Sequence, residues 1–472
     1  MRSADSLRDD LRVLLRHAGT VLVGQLAVMA FGITDTVVAG RFAPEALAVL
    51  SIGSAIYISV YVSLNGVLQS LLPVYAELHG GKRYAQLGQT FRQSLYLCVM
   101  LMVCGMAIML WPGALLRWAK VPEDLQISIT QYLAILAWAL IPSLAFRMYS
   151  SLNQGLGKPL LVTWLQIGSL CIKVPLTVWL TFGGAGVPAM GLAGCAWATF
   201  VVQWLILACG VLMLRTQSLY RPLKLWQRME PPKWPQIGQF VRMGLPGGLA
   251  YLVEITSFTL MALFIARLGV ISAASHQIAA TMTGTMYMVP LSLSIACSAR
   301  VSYWLGAGNA PRARRVACLG LATAAVLSSV MALLLWLLAQ PVASLYSTSR
   351  SVVALGASLL GWVALYHVAD AAQTICAFVL RSYRVTLLPL LIYGVMLWGV
   401  GLLGGYWLAY EGVGDLGGVN SVSAMQNPQA FWIAGAVALV VVAITFIVIL
   451  AYSIKTFKPS IALPRQPVQQ AG

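Results

Sequence analysis

GLPGGLAYLVEITSFTLMALFIA, from Gly244 to Ala266, is apolar over most of its 23 residues but carries Glu254 at its middle. About 20 such residues suffice to cross the hydrocarbon of a bilayer, so the stretch reads as a membrane span with a carboxylate where water is scarcest. The rest of the chain supports that reading. Of 472 residues, 60% are hydrophobic and 9% are charged, and the mean hydropathy is +0.83, whereas an ordinary soluble domain is roughly 25% charged. Apolar runs of spanning length lie at 14–39, 47–76, 93–116, 127–150, 159–182, 189–214, 239–266, 272–304, 315–346, 353–380, 385–410 and 429–454. The sequence therefore predicts an all-α polytopic membrane protein with twelve transmembrane helices.

The net charge of +17 raises nucleic acid as a partner, and the placement of the bases removes it. With both termini cytoplasmic, 24 of the 30 Lys and Arg fall on the inner side, among them Arg2, Arg8, Arg12, Arg16, Lys82, Arg83 and Arg92. Only Arg41, Arg117, Lys120, Arg267 and Arg350 fall outside, and Lys173 lies within a span. This is the positive-inside bias of a multi-pass protein of a bacterial-type inner membrane. It leaves no concentrated basic stripe for nucleic acid. The first apolar run is too long for a secretory signal and is expected to stay as an anchor. The eight cysteines lie in or at the ends of spans without CxxC spacing, which indicates neither a disulfide framework nor a zinc site.

The longest basic connection, RTQSLYRPLKLWQRMEPPKWPQIGQ (Arg215 to Gln239), separates six spans from six. ELHGGKRYAQ (Glu77 to Gln86) closes the second span, and WLGAGNAPRA (Trp304 to Ala313) closes the eighth, about 227 residues later. Six spans per half return the chain to its starting side, so the halves are expected to be parallel repeats related by a pseudo-two-fold axis along the membrane normal. The expected organisation is a six-helix lobe at 1–214, a basic cytoplasmic linker at 215–238, a second six-helix lobe at 239–456 and a cytoplasmic tail at 457–472.

Only 13 residues are acidic, and three of them fall within spans: Asp35, Glu254 and Asp370. On the lenient insertion scale each costs about 2.5–3.5 kcal/mol if ionised and unpaired at mid-membrane. Such groups are protonated, face a wet cavity or are accompanied by a cation. Asp370 follows Tyr366 by four residues and His367 by three, so the three can share a helix face. The run TMTGTMYMVP (Thr281 to Pro290) brings Met282 and Met286, whose pliant thioethers suit an adaptable ligand surface, and Tyr287, whose ring can cover a cation. Methionine and tyrosine are also ordinary span residues. Lys173, in CIKVPLTVW, is expected to be the only buried base; a static ion pair with Asp35 and a working one remain equally open. For His367, so do pH sensing and packing.

Five stretches stand out together: GITDTVVAGRFAPEALA (Gly32 to Ala48), GLPGGLAYLVEITSF (Gly244 to Phe258), AASHQIAA (Ala273 to Ala280), SARVSYWLGAGN (Ser298 to Asn309) and YHVADAAQTICAFVLRSYR (Tyr366 to Arg384). In order and spacing they resemble the multidrug and toxic compound extrusion family, and within it the NorM-like branch. The resemblance implies an antiporter in which a proton or sodium ion running inward drives a bulky, usually cationic organic compound outward. It assigns Glu254, Asp370, Tyr287 and Tyr366 to a cation site, with Glu254 and Asp370 as the metal ligands if sodium couples. Proton or substrate binding is expected at Asp35, Lys173, His367, Met282 and Met286. The expected partners are small organic cations and membrane lipid around a monomer, without cofactor. The chain departs from the family at KVPLT, where Lys173 and Thr177 occupy positions that are often asparagine, and at Thr281.

Three rivals remain at this stage. A lipid-linked saccharide flippase is expected to line its cavity with arginines. An intramembrane enzyme lacks support, since no HExxH, GxSxG or phosphate-cradling loop is present and His17, His79, His276 and His367 do not fall at metal spacing. A passive channel differs from an antiporter only in being unable to build a gradient.

Overall fold

Proline sets several of the helix ends and breaks. The computed structural model describes residues 2–118, 122–184, 186–411 and 424–457. Twelve of its helices are long and apolar enough to span a membrane. In the first half these are α1 (Leu7–Phe42), α2 (Glu45–Gly80), α3 (Tyr84–Leu110), α4 (Leu125–Gly155), α5 (Pro159–Phe182) and α6 (Leu192–Thr216). The second half has α7 (Trp234–Ala266), α8 (Val270–Gly306), α9 (Ala310–Leu337), α10 (Arg350–Ser382), α11 (Leu387–Glu411) and α12 (Gln429–Thr456). Lys120, most of the acidic connection 411–429 and most of the tail 457–472 lie outside the described residues.

Three departures from the expected spans have a local cause. α3 stops at Leu110 instead of continuing to 116, because Trp111 precedes Pro112 and a residue before proline is pushed out of the helical region; Trp111 has φ −119° and ψ 57°. α9 stops at Leu337, and a separate helix, Ala339–Tyr346, follows it. The ring of Pro341 stands against the carbonyl four residues earlier, that of Leu337. The same rule interrupts α2 at Ser70, since Pro73 stands against the carbonyl of Gln69. In α11, a glycine-rich segment, the backbone runs as a π-helix over Val395–Leu403.

The buried side chains form two main apolar cores. One gathers residues such as Leu68, Leu97, Leu133, Leu140 and Cys195 from α2 to α6, and the other Leu293, Leu359, Ile375, Trp432 and Leu439 from α8, α10 and α12. α1 belongs to both: Val38 and Ala39 pack in the first core, Leu14 and Ala18 in the second. The start of α1 is tied to the second lobe through Asp10, which is buried and accepts from Arg312 of α9 through both Nε and Nη2. The Arg312 guanidinium in turn lies 4.0 Å over the ring of Trp304. The basic linker is docked on the first lobe. Arg92 reaches Glu230 and the Lys224 carbonyl, both at 2.6 Å, and Tyr220 donates to Asn153 Oδ1 at 2.7 Å. Burial pushes the Tyr220 phenol above its ordinary range.

The repeat is visible in hydrogen bonds. α2 ends with Lys82 N donating to His79 O and Arg83 N to Leu78 O; α8 ends with Gly308 N donating to Leu305 O and Asn309 N to Trp304 O. Both are the glycine-type helix stop with a left-handed residue after the last turn, Lys82 at φ 55° and Gly308 at φ 73°. The register is 308 − 82 = 226 residues, one fewer than the sequence echo suggested. α4 and α10 end in the same way at Gly157 (φ 69°) and Arg384 (φ 64°), with a register of 384 − 157 = 227.

The two helix ends also meet. A Cβ on Gly80 would fall 1.9 Å from the carbonyl oxygen of Tyr303, and one on Gly306 would fall 1.8 Å from that of Glu77. Residue i of one lobe meets the counterpart of j in the other, and the reverse, as a two-fold axis demands. Farther along α2 and α7, Gly244 faces the Val67 carbonyl and Gly248 that of Ser63, at 2.6 and 2.5 Å from the positions their Cβ atoms would take. Glycine permits these backbone-to-backbone contacts because nothing larger fits. Gly80→Ala and Gly306→Ala are each expected to destabilise the detergent-solubilised protein by about 1–3 kcal/mol, the usual cost of overpacking. Thermal unfolding checks this, and unchanged melting in both variants would show that the lobes do not meet there.

Candidate functional site

Glu254 sits on α7 and lines a cavity walled by α7, α8, α10, α11 and α12. Tyr251, Tyr287, Gln373, Arg381 and Tyr393 share the wall. Tyr251 lies one turn before Glu254, and its hydroxyl donates to Gln69 Oε1 of α2 at 3.2 Å, which ties the cavity to the first lobe. The Tyr393 phenol lies beside the Glu254 carboxyl. Pro246, Val385 and Thr386 are common to this cavity and to a wider one of about 760 Å³ at the linker end, which takes Glu77 and Thr90 from the first lobe and Arg242 and Arg384 from the second.

Asp370 stands one layer deeper. It is 3% exposed and accepts a hydrogen bond at 2.9 Å from Gln373 Nε2. Gln373 is itself in the cavity wall and also donates to Thr374 Oγ1 at 3.0 Å. Glu254 and Asp370 lie within electrostatic reach of one another. Neither takes part in any ion pair among the described residues. The second lobe therefore holds two carboxyl groups with hydroxyl and amide neighbours and no basic counterion at bonding distance.

The first lobe is arranged differently. Lys173 of α5 is fully buried and donates to Asp35 Oδ1 of α1 at 2.7 Å, to Thr199 Oγ1 of α6 at 2.6 Å and to the Cys195 carbonyl at 3.2 Å. The structure shows the Asp35–Lys173 ion pair formed, a contact common to both readings of Lys173.

The remaining expected residues scatter. Tyr287 is in the wall with Glu254. Tyr366 instead joins an aromatic cluster, its ring 5.7 Å from Trp432 and 6.2 Å from Phe258, beside a small apolar cavity of its own. His367 is 1% exposed, and neither ring nitrogen has a protein partner; it makes no hydrogen bond to Asp370, whose partner is Gln373. Met286 is a core residue and Met282 packs against the same core, so the methionine run supplies packing at both positions. The expectation that Lys173 is the only buried base also needs correction, since Arg92, Arg147 and Arg381 are buried as well.

Sequence reasoning missed Tyr251, Gln373, Tyr393 and Thr199. Tyr251 and Gln373 carry the helical-turn signal, each three residues from a span carboxylate. Tyr393 and Thr199 come from distant spans and carry no such signal. Gln373→Leu is expected to leave Asp370 without its donor and to lower stability by about 1–3 kcal/mol. A melting curve equal to that of the parent protein would contradict the contact.

Comparison with known proteins places this geometry among transporters. A family model described as MatE matches residues 21–179 and 246–407. The chain is 35% identical over 435 residues to a probable multidrug resistance protein NorM of Aromatoleum aromaticum, covering 92% of each chain. It is 32% identical to the multidrug resistance protein PmpM of Pseudomonas aeruginosa over 96% of this chain and 93% of that one. Among solved structures, the Vibrio cholerae MATE transporter VcmN superposes with a TM-score of 0.86 at 15% identity, over 96% of this chain and 99% of that one.

Proposed function

From the premise that the chain belongs to the MatE family of multidrug efflux transporters, we propose that it is a cation-coupled antiporter exporting bulky, mainly cationic organic compounds. The observation that carries the coupling is the pair of Asp370, buried, and Glu254, half-buried in the cavity wall, neither of which takes part in an ion pair among the described residues. A cavity lies against Glu254, and Gln373 in its wall holds Asp370; Arg381 shares that wall but pairs with neither carboxyl group. A proton or a sodium ion entering from outside satisfies the carboxyl groups, and a cationic substrate bound from inside competes with it for the same negative charge. One elementary charge moving through 100 mV is worth about 2.3 kcal/mol, enough for useful extrusion when exchange is tight.

The membrane is the inner one of a bacterial-type cell, with both termini cytoplasmic. The basic bias supports this orientation, since the charged linker and the ends of α2, α4, α8 and α10 share one side. The lobes at 1–214 and 239–456 act as the rocking bodies, the linker at 215–238 joining them. The chain works as a monomer in lipid and uses no cofactor besides the coupling ion.

A lipid-linked saccharide flippase is the second reading. The buried Arg147 and Arg381 weigh on its side, and the carboxyl pair weighs against an anionic cargo. Glu254→Gln and Asp370→Asn are each expected to abolish ethidium efflux driven by an ion gradient in vesicles, with the protein still present in the membrane. Wild-type efflux by both variants would remove the proposed site.

A further inference from the structure

The Asp35–Lys173 pair is built as a closed unit. The Thr199 hydroxyl gives its hydrogen to the Cys195 carbonyl at 3.0 Å, so its oxygen is left to accept from Lys173. Lys173 Nζ then donates in three directions, to Asp35, Thr199 and the Cys195 carbonyl. Only an ammonium has three N–H bonds to give, so Asp35 faces a full positive charge in a charge-assisted hydrogen bond. The partners come from three helices, α1, α5 and α6, and Lys173 is 0% exposed while the Asp35 side chain is 14% exposed. The other titratable side chains facing Asp35 are Tyr57, Tyr132 and Cys195, none of them basic.

We propose that the Lys173 ammonium is the resident counter-cation of Asp35, tethered where a transported cation would otherwise sit, so that Asp35 carries no coupling ion and the ion traffic of the cycle is confined to Glu254 and Asp370. The inference rests on the antiport reading above and narrows it to one lobe. The first lobe then presents a net-neutral pair without the pull of a free negative charge. A cationic substrate is drawn by charge to the second lobe.

The test removes both charges together. In vesicles, Asp35→Asn combined with Lys173→Met is expected to retain ion-driven ethidium efflux with the same number of ions exchanged per ethidium. Lys173→Met alone frees Asp35 and raises that number. Loss of coupling in the double variant, with the protein in the membrane and still binding ethidium, would overturn the proposal.

A measurement on the wild-type protein decides the matter if the double variant does not fold. Dicyclohexylcarbodiimide modifies protonated carboxyl groups in apolar surroundings, and peptide mass analysis locates the adduct. Glu254 is expected to react and Asp35 to stay unmodified, and Asp35 labelling comparable to that of Glu254 would overturn the proposal. Failure of the antiport reading itself looks different: Glu254→Gln and Asp370→Asn would both keep ion-driven efflux, whatever Asp35 does.

Discussion

The constraint on which the rest depends is that Glu254 and Asp370 are carboxyl groups within the second lobe that form no ion pair among the described residues, although Arg381 shares the cavity wall with Glu254. A buried, ionised and unpaired group is expensive, by about 2.5–3.5 kcal/mol at mid-membrane even on the lenient scale. The lobe answers with neutral donors: Gln373 on Asp370, and Tyr393 beside Glu254. These donors carry no charge, and the proposed function gives the balancing role to a mobile cation. The first lobe meets the same cost in the opposite way, with Lys173 at 2.7 Å from Asp35. One chain thus contains both solutions to a buried carboxylate, and only one of them leaves room for traffic.

The frame around those groups is two lobes, each packed about an apolar core of its own, and α1 is tied into both. Many of the contacts between them are backbone against backbone, glycine at Gly80, Gly306, Gly244 and Gly248 against carbonyls of the other lobe. Charge joins them as well, Arg312 on Asp10 and Arg384 on Glu77. Apart from the Gly244 and Gly248 contacts, these points lie at helix ends on the linker side. Between the lobes there is also an apolar cluster, Val21 and Leu72 against Ile295, Ala299 and Phe378.

Most of the fold was legible because hydropathy and charge placement are summed over many residues. All twelve spans appear in the structure, and the misjudged ends at Leu110 and Leu337 follow from Pro112 and Pro341, whose local rule outweighs hydropathy. The repeat was readable from ELHGGKRYAQ and WLGAGNAPRA to within one residue, because both are the same helix stop. Of the candidate site, the carboxylates Asp35, Glu254 and Asp370 stood out as charges in apolar runs. Their neighbours were harder to see. Turn spacing put Tyr366 and His367 on one face with Asp370, but packing against Trp432 took Tyr366, and Gln373 took the hydrogen bond. Thr199 and Tyr393 reach the site through helix packing, which no local pattern encodes.

The measurement that tests the central claim most directly uses the wild-type protein in sealed proteoliposomes loaded with equal ethidium on both sides. A proton gradient and a sodium gradient are imposed in separate runs. Antiport through unpaired carboxyl groups predicts that one of the gradients drives ethidium to a concentration above that outside, and that an ionophore collapsing the gradient abolishes the accumulation. Ethidium that stays at equal concentration under both gradients, in protein shown to bind it, would contradict the claim.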